Sequence, residues 1–332
     1  MKPNRIDPEG VPYFTLACGE RVPCMGAGTF ASDGPSAQTV SRAVADAVRF
    51  GYRLIDCASV YGNEAQIGEA LAEVMGEGEI KREALFITSK VWNDRHGEGD
   101  VLLSLAQTLR DLRLKRIDAY FVHWPFPNYH APGCDGDSRN PDSKPFSVET
   151  FMATWRQMER IYDMGLARHL GMSNMTVKKL KAVLPLCRVR PSLIEMELHP
   201  AFQQPELFDY VRAEGILPIG YCPIGSPQRP ERDRTPEDIA DTQLPVIRAI
   251  AEKHGIHPAV VCLKWAVQRG QLPIPFSVQA SHYEANLRGI MGDPLTEAEM
   301  DAIRALDANC RLIKGQVFLW PGAEDWRALW DE

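Results

Sequence analysis

The feature that most constrains this chain is an eightfold alternation of short apolar runs with longer amphipathic segments. Runs at 25–29, 53–57, 85–89, 119–123, 169–172, 193–196, 217–221 and 273–277 are rich in branched and apolar residues. They lack a polar alternate face, as expected for strands covered on both sides of a parallel sheet. Between them, 37–50, 63–75, 99–112, 148–164, 205–212 and 258–269 read as helices. In the first, Val40, Ala43, Val44, Ala47 and Val48 form one stripe, and Gly51 supplies a stop. Strands alternating with helices predict an α/β fold, and eight units predict closure into a (β/α)8 TIM barrel. Residues 13–16 and 21–23, around a turn at 18–20, predict an amino-terminal β-hairpin. The composition does not change along the 332 residues, so 1–332 is expected to be one barrel domain.

Two stretches interrupt the rhythm after predicted strands, 124–147 and 226–242, both Pro-containing and polar. Long loops at the carboxyl face of a barrel are where such folds place their sites. The tail carries Phe318, Trp320, Trp326 and Trp330, and is expected to pack across a cavity or a subunit interface.

A net charge of −7 argues against nucleic acid as the main partner. No apolar run reaches the eighteen residues of a membrane span, and the polar start lacks a signal-peptide core. The eight cysteines are scattered with no C-x-x-C pair, against a zinc ribbon or a disulfide scaffold, so no metal is expected. A cytoplasmic protein with reduced thiols, monomeric or homodimeric, is the expectation.

Polar residues at successive strand ends carry the chemistry. Asp56 closes the second strand, Lys90 the third and His123 the fourth, with Tyr61 just beyond Asp56. A free phenol titrates near ~10 and is a weak acid at neutral pH. A neighbouring ammonium is expected to lower that value, and a carboxylate to hold the ammonium charged. An imidazole can orient a carbonyl oxygen and stabilise developing charge.

The segment 56–64, the Ser89-Lys90 pair and Val122-His123-Trp124-Pro125 resemble the motifs of the aldo-keto reductases. The resemblance runs from about Phe14 to Arg311 and implies the same barrel. It implies Tyr61 as general acid/base, Asp56 and Lys90 as its tuning pair, and His123 as the group orienting the substrate. It also implies an extended nicotinamide dinucleotide over the barrel mouth. Gly28 and Thr29 would lie under it, Ser173 and Asn174 bond its carboxamide, and Tyr221 stack on its ring. Pro223, Ile224, Gly225 and Ser226 continue that cofactor segment. So do Ser277, Val278 and Asn286 on the last unit.

Three positions depart from the family pattern. Glu195 stands where the resemblance implies glutamine, and an ionised carboxylate cannot donate to a carboxamide oxygen. Phe276 and His282 stand where lysine and arginine would grip the 2′-phosphate of NADP. NAD(H) is therefore expected over NADP(H), with Glu231 as a candidate acceptor for the adenosine ribose; Arg288, His282 or Arg229 are alternative phosphate partners.

For the substrate, Phe30, Trp92 and Trp124 match aromatic lining positions, with Asn93, Tyr129 and His130 as polar contacts. The long loop and the block 149–165 resemble the sugar and sugar-phosphate reductases, which implies a polyhydroxylated aldose or ketose. Lipophilic ketones and aryl aldehydes remain alternatives. Two other readings stay open: a cofactor-binding sensor with little turnover, and an aldolase or isomerase with Lys90 as Schiff base. The latter needs a depressed lysine pKa, which Asp56 opposes.

Overall fold

A computed structural model of the chain describes residues 5–31, 34–130, 139–226, 229 and 234–332. The hairpin forms as expected, with β1 (Tyr13–Thr15) antiparallel to β2 (Arg21–Pro23). Eight parallel strands follow, hydrogen-bonded in chain order. They are β3 (Ala27–Gly28), β4 (Leu54–Asp56), β5 (Phe86–Val91), β6 (Ile117–Val122), β7 (Ala167–Ser173), β8 (Leu193–Glu197), β9 (Leu217–Tyr221) and β10 (Leu272–Pro273).

Backbone bonds from Gly26 N to Pro273 O (3.0 Å) and from Gly28 N to Pro275 O (2.9 Å) join the first strand to the last. The barrel is thus closed. Both seam strands are shorter than the runs 25–29 and 273–277 suggested, since Pro273 and Pro275 have no N–H for a regular ladder. A side chain at Gly28 would place its Cβ 2.9 Å from Ile274 O, so the seam needs glycine there.

The barrel interior is filled by Leu54, Phe86, Ala119, Phe121, Leu193, Ile219, Leu272 and Ile274, joined by Leu16 and Val22 of the hairpin. Glu20 of the hairpin turn meets His169 near the start of β7 at 2.9 Å. The hairpin therefore plugs the amino ends of the strands and leaves the carboxyl end open for chemistry.

Helices cover the outside: α1 (Ala37–Phe50), α2 (Glu64–Gly76), α3 (Asp100–Asp111), α4 (Val148–Asp163), α5 (Val177–Val183), α6 (Pro205–Ala213), α7 (Pro245–His254), α8 (Pro258–Gln268), α9 (Ala280–Met291) and α10 (Glu297–Arg304). The six expected from periodicity are present with ends shifted by at most about a residue. Four more are not in that expectation. α5 has seven residues and three lysines, too short for a clear stripe. α9 buries Tyr283, Asn286, Leu287 and Ile290, a stripe masked by its polar member. α10 starts with a Thr296–Glu299 capping box, and α7 ends at left-handed Gly255.

The aromatic tail folds back on its own chain. Trp124 packs on Phe318 (ring centroids 4.7 Å) and Trp330 (5.5 Å), and Phe126 joins them. Arg311 lies 3.7 Å over the Trp330 ring. The seven described cysteines are free thiols, and Cys134 lies outside the described residues. Among the described residues, no helix is long and apolar enough to cross a membrane.

α2 approaches α3 at a glycine. A Cβ on Gly68 would sit 2.0 Å from Asp111 O and 2.6 Å from Leu112 Cα, both backbone atoms. Gly68→Ala is expected to cost about 1–3 kcal/mol through overpacking, lowering the melting midpoint by several degrees in calorimetry. Gly76→Ala, where a Cβ meets nothing within 4 Å, should be neutral or slightly stabilising. An unchanged midpoint for Gly68→Ala would contradict this packing.

Candidate active site

Asp56 ends β4, Lys90 lies in β5, and His123 directly follows β6, so three adjacent strands bring their groups to the open end of the barrel. Tyr61 stands on the single helical turn Ser59–Tyr61 that follows β4. Lys90 is the centre. Its fully buried Nζ donates to both Asp56 oxygens at 2.8 and 2.7 Å and to Cys57 O at 3.1 Å. Thr88 donates to Asp56 Oδ1 at 2.6 Å, fixing the carboxylate from the neighbouring strand. Nζ lies 5.5 Å from the Tyr61 ring centroid, and the Tyr61 and His123 rings are 5.9 Å apart, edge to face. The four residues expected to act together are brought together.

A second carboxylate reaches the same ammonium. Glu195 Oε1 is 3.3 Å from Lys90 Nζ, and its buried Oε2 has no partner. Burial disfavours the charged Lys90, but Asp56, Glu195 and Tyr61 together hold its pKa well above the usual lysine value. A charged ammonium is the result. Burial, reinforced by Asp56 and only partly offset by Lys90, pushes the Glu195 carboxyl up to about 8.

The expectation that Lys90 makes the phenol more acidic than a free one is not met by the chain alone. Burial raises the Tyr61 pKa, Lys90 pulls it back, and the Asp56 and Glu195 carboxylates oppose that pull; the net shift is upward. Tyr61 therefore keeps its proton at neutral pH. His123 is shifted well below the ordinary histidine value by burial, then by Lys90 and His96. It is a neutral imidazole with one donor and one acceptor nitrogen, and its buried Nδ1 has no partner.

The cofactor candidates divide into engaged and available groups. Thr29 is fully buried and donates to Asp56 O at 2.8 Å, so its hydroxyl holds the site rather than lining it. Gly28 serves the seam. Asn174 donates to His123 O at 2.9 Å and accepts from Tyr221 OH at 2.6 Å, fixing the Tyr221 ring. Ser173 Oγ, by contrast, is buried without a partner, and Ser173 is the register partner of Glu195 on the adjacent strand. Two side chains with an orphaned polar atom thus occupy register-paired positions on β7 and β8, an arrangement that fits the amide group of a nicotinamide.

Beyond β9, residues 223–226 form a turn in which Gly225 and Ser226 have positive φ. A carboxylate and a guanidinium pin it: Asp241 abuts Gly225, and Arg229, paired with Asp238, donates to Ser226 O at 3.3 Å. Glu231 lies outside the described residues. On the last unit, Phe276 packs partly into the core. Phe276 and Ser277 line a crevice with Ala27, Gly28 and Asn286, and Val278 is half-buried beside them. His282 Nδ1 is 3.2 Å from Ser277 Oγ, and Arg288 stacks on Phe50 at 4.9 Å.

Around the mouth, Phe30 lies tilted against Tyr61 (ring centroids 5.0 Å) and Trp92 meets His123 edge to face (4.9 Å). His130 lies against Trp92 and Phe318. Phe318 itself was not among the expected site residues, because only folding brings the tail to the Trp92 ring (5.8 Å). Trp124 is 5% exposed beneath the tail, so it supports the wall from behind. Asn93 is buried and donates to Asn128 O, and Tyr129 is exposed. Residues 131–138 of the loop lie outside the described residues.

A second buried cluster braces the mouth. His199 lies 3.1 Å from Glu197 and 2.8 Å from Asp241, all three fully or almost fully buried. Glu197 also accepts from the backbone N–H groups of Leu312 (2.7 Å) and Ile313 (2.8 Å). One imidazolium thus ties β8, the end of the 226–242 loop and the start of the tail. At the opposite end of the barrel, Cys18, Glu20 and His169 hold atoms within 4.8 Å of one another, but Arg168 already pairs Glu20 at 2.7 Å.

Residues 24–308 match the sequence model of the Aldo/keto reductase family. The chain is 40% identical over 333 residues to an aldo/keto reductase of Synechocystis sp., covering 99% of this chain and 98% of that protein. It is 39% identical to the Bos taurus aldo-keto reductase family 1 member A1, over 90% of each. Among solved structures, a Bombyx mori aldo-keto reductase in complex with NADP superposes with a TM-score of 0.80 at 30% identity, over 91% of this chain and 95% of that one. An aldo-keto reductase complexed with NADPH gives 0.80 at 29%, over 91% and 90%.

The His199 cluster carries a pH signature. Burial alone would lower its pKa, but Asp241 and Glu197 raise it to about 9. A folded pKa above the unfolded value of ~6.5 means the contribution is complete below that value and lost as pH rises through about 9. Between the two, folding stability should fall by about 1.4 kcal/mol per pH unit from this group. Denaturant unfolding from pH 6 to 9.5 checks this; stability that rises across that range would contradict it.

Proposed function

The chain belongs to the aldo-keto reductase family, oxidoreductases that interconvert carbonyls and alcohols with a nicotinamide dinucleotide, and we propose that it reduces small aldehydes of apolar body with Tyr61 as proton donor. The observation that carries this reading is the Asp56–Lys90 pair beneath Tyr61 and His123 at the open end of the barrel. A bound reduced dinucleotide supplies the hydride. Ser173 and Glu195 would hold its carboxamide, Tyr221 would lie against its ring, and residues 223–226 would cover its diphosphate.

Neutral His123 donates an N–H to the substrate carbonyl oxygen and stabilises the charge that develops there. Tyr61 then gives its proton to the alkoxide. A raised phenol pKa does not block this step, because the conjugate acid of an alkoxide is about as weak as bulk water at ~15.7. Lys90 stabilises the phenolate left behind, and Asp56 keeps the ammonium in place.

The walls support an apolar substrate body over a polyol. Phe30, Trp92 and Phe318 surround Tyr61 and His123, whereas Asn93 faces Asn128. Of the two features on which the sugar resemblance leaned, the block 149–165 falls largely on α4, which packs between α3, α5 and β7 on the outer ring, and residues 131–138 of the long loop lie outside the described residues.

The dinucleotide preference follows from charge. The two superposed structures carry NADP or NADPH. In this chain Phe276 and His282 replace two fixed cations, each worth about 1.5–3 kcal/mol toward a phosphate. NADH should therefore bind at least as tightly as NADPH. Quenching of tryptophan fluorescence during titration checks it; clearly tighter NADPH binding would contradict it and point to Ser277, His282 or a loop cation as the grip.

Tyr61→Phe should cut aldehyde turnover by about 10²–10⁴-fold with cofactor affinity nearly unchanged. Steady-state kinetics with benzaldehyde, butanal and xylose, alongside the fluorescence titration, reads both effects. Cofactor binding without turnover on any of the three by the unaltered protein would instead favour a sensor.

A further inference from the structure

Glu195 is a second carboxylate on an ammonium already paired with Asp56. The two carboxylates are not equivalent. Asp56 places both oxygens on Lys90 at 2.8 and 2.7 Å and receives the Thr88 hydroxyl, while Glu195 has one longer contact of 3.3 Å. Its other oxygen is buried, unpartnered, and level with the unpartnered hydroxyl of Ser173.

We propose that Glu195 gains and loses a proton during the working life of the enzyme, and that this proton decides whether the site prefers the reduced or the oxidised dinucleotide. The proposal rests on the reductase reading above. A carboxamide presents N–H donors and one carbonyl acceptor. Protonated, Glu195 can donate to that carbonyl from Oε2 as a glutamine would; ionised, it can only accept. The reduced nicotinamide ring is neutral and gains nothing from a nearby negative charge. The oxidised ring is cationic, and an ionised Glu195 attracts it.

The charge inventory supports a mobile proton at this position. Glu195 interacts electrostatically with Asp56 on β4, Tyr61 on the turn after it, Lys90 on β5 and Tyr221 on β9, and Lys90 is the one cation among these. Neutral His123 after β6 faces Lys90, and Glu197 on the same strand as Glu195 is held by His199 and Arg311. With both Asp56 and Glu195 ionised, the single charge of Lys90 faces two buried carboxylates and one negative charge is left over. Burial and Asp56 accordingly push the Glu195 carboxyl up to about 8, within reach of ordinary cellular pH. The proton is held below that pH and released to solvent above it.

The test is equilibrium binding, read by tryptophan quenching, of the reduced and oxidised forms of the same dinucleotide to the full chain between pH 7 and pH 9. The ratio Kd(reduced)/Kd(oxidised) should rise by roughly tenfold across this range, the change set by one ionisation near the middle of it. Glu195→Gln, which is always neutral and always able to donate, should hold the ratio flat. A flat ratio in the unaltered protein overturns the proposal without needing any variant. So does a rise that persists in Glu195→Gln. Failure of either form to bind at any pH would overturn the reductase reading itself, an outcome distinct from a flat ratio.

Discussion

The site depends on one buried ammonium. Lys90 has no access to water, and an unpaired charge there would cost several kcal/mol. It persists because the Asp56 carboxylate of β4 takes two of its protons, the Cys57 carbonyl takes the third, and Glu195 of β8 lies 3.3 Å away. The ammonium sits on β5 while Asp56 and Cys57 come from the end of β4, so the charge cannot be satisfied until those strands are aligned. The same ammonium lies under the Tyr61 ring and helps keep His123 neutral. Burial and this one charge together set the protonation of Tyr61 and His123.

The rest of the fold serves to hold that constraint in register. The hairpin fills one end of the barrel with Leu16 and Val22. Thr29 and Asn63 link the end of β3 to Asp56 and to the start of α2 through side-chain bonds of 2.8 and 2.9 Å. On the far side, Glu197, His199 and Asp241 bind the tail to the loop that precedes α7. The tail then sets Phe318 against Trp92, completing the aromatic wall. The aromatic wall and the 223–226 turn are therefore braced by the same buried imidazolium.

Much of this was legible in the sequence, for physical reasons. A strand buried on both faces leaves an unbroken apolar run, and its last polar residue marks the barrel mouth, which is how Asp56, Lys90 and His123 stand out. The seam was less legible because Pro273 and Pro275 supply acceptors without donors, so an apolar run becomes a two-residue ladder. Thr29 and Asn93 match positions in a motif, yet the Thr29 hydroxyl and the Asn93 amide NH2 are given to Asp56 and Asn128. The His199–Asp241 pair was not legible because its members lie far apart in the chain, and for Phe318 the sequence offered a packing tail but not its place against Trp92. The consequence of Glu195 was half visible: the residue is plain in the sequence, but its proton depends on an ammonium and a second carboxylate that only the closed barrel assembles.

The most direct test of this account is the charge state of Lys90, followed by NMR of 15N-labelled lysine side chains as pH is raised. The account predicts one lysine Nζ resonance that stays at its ammonium position for as long as the protein is folded, and that disappears in Lys90→Met. A Lys90 signal that titrates at or below the ordinary lysine value of ~10.4 would contradict it, and would return the residue to the class of depressed-pKa lysines that act as nucleophiles.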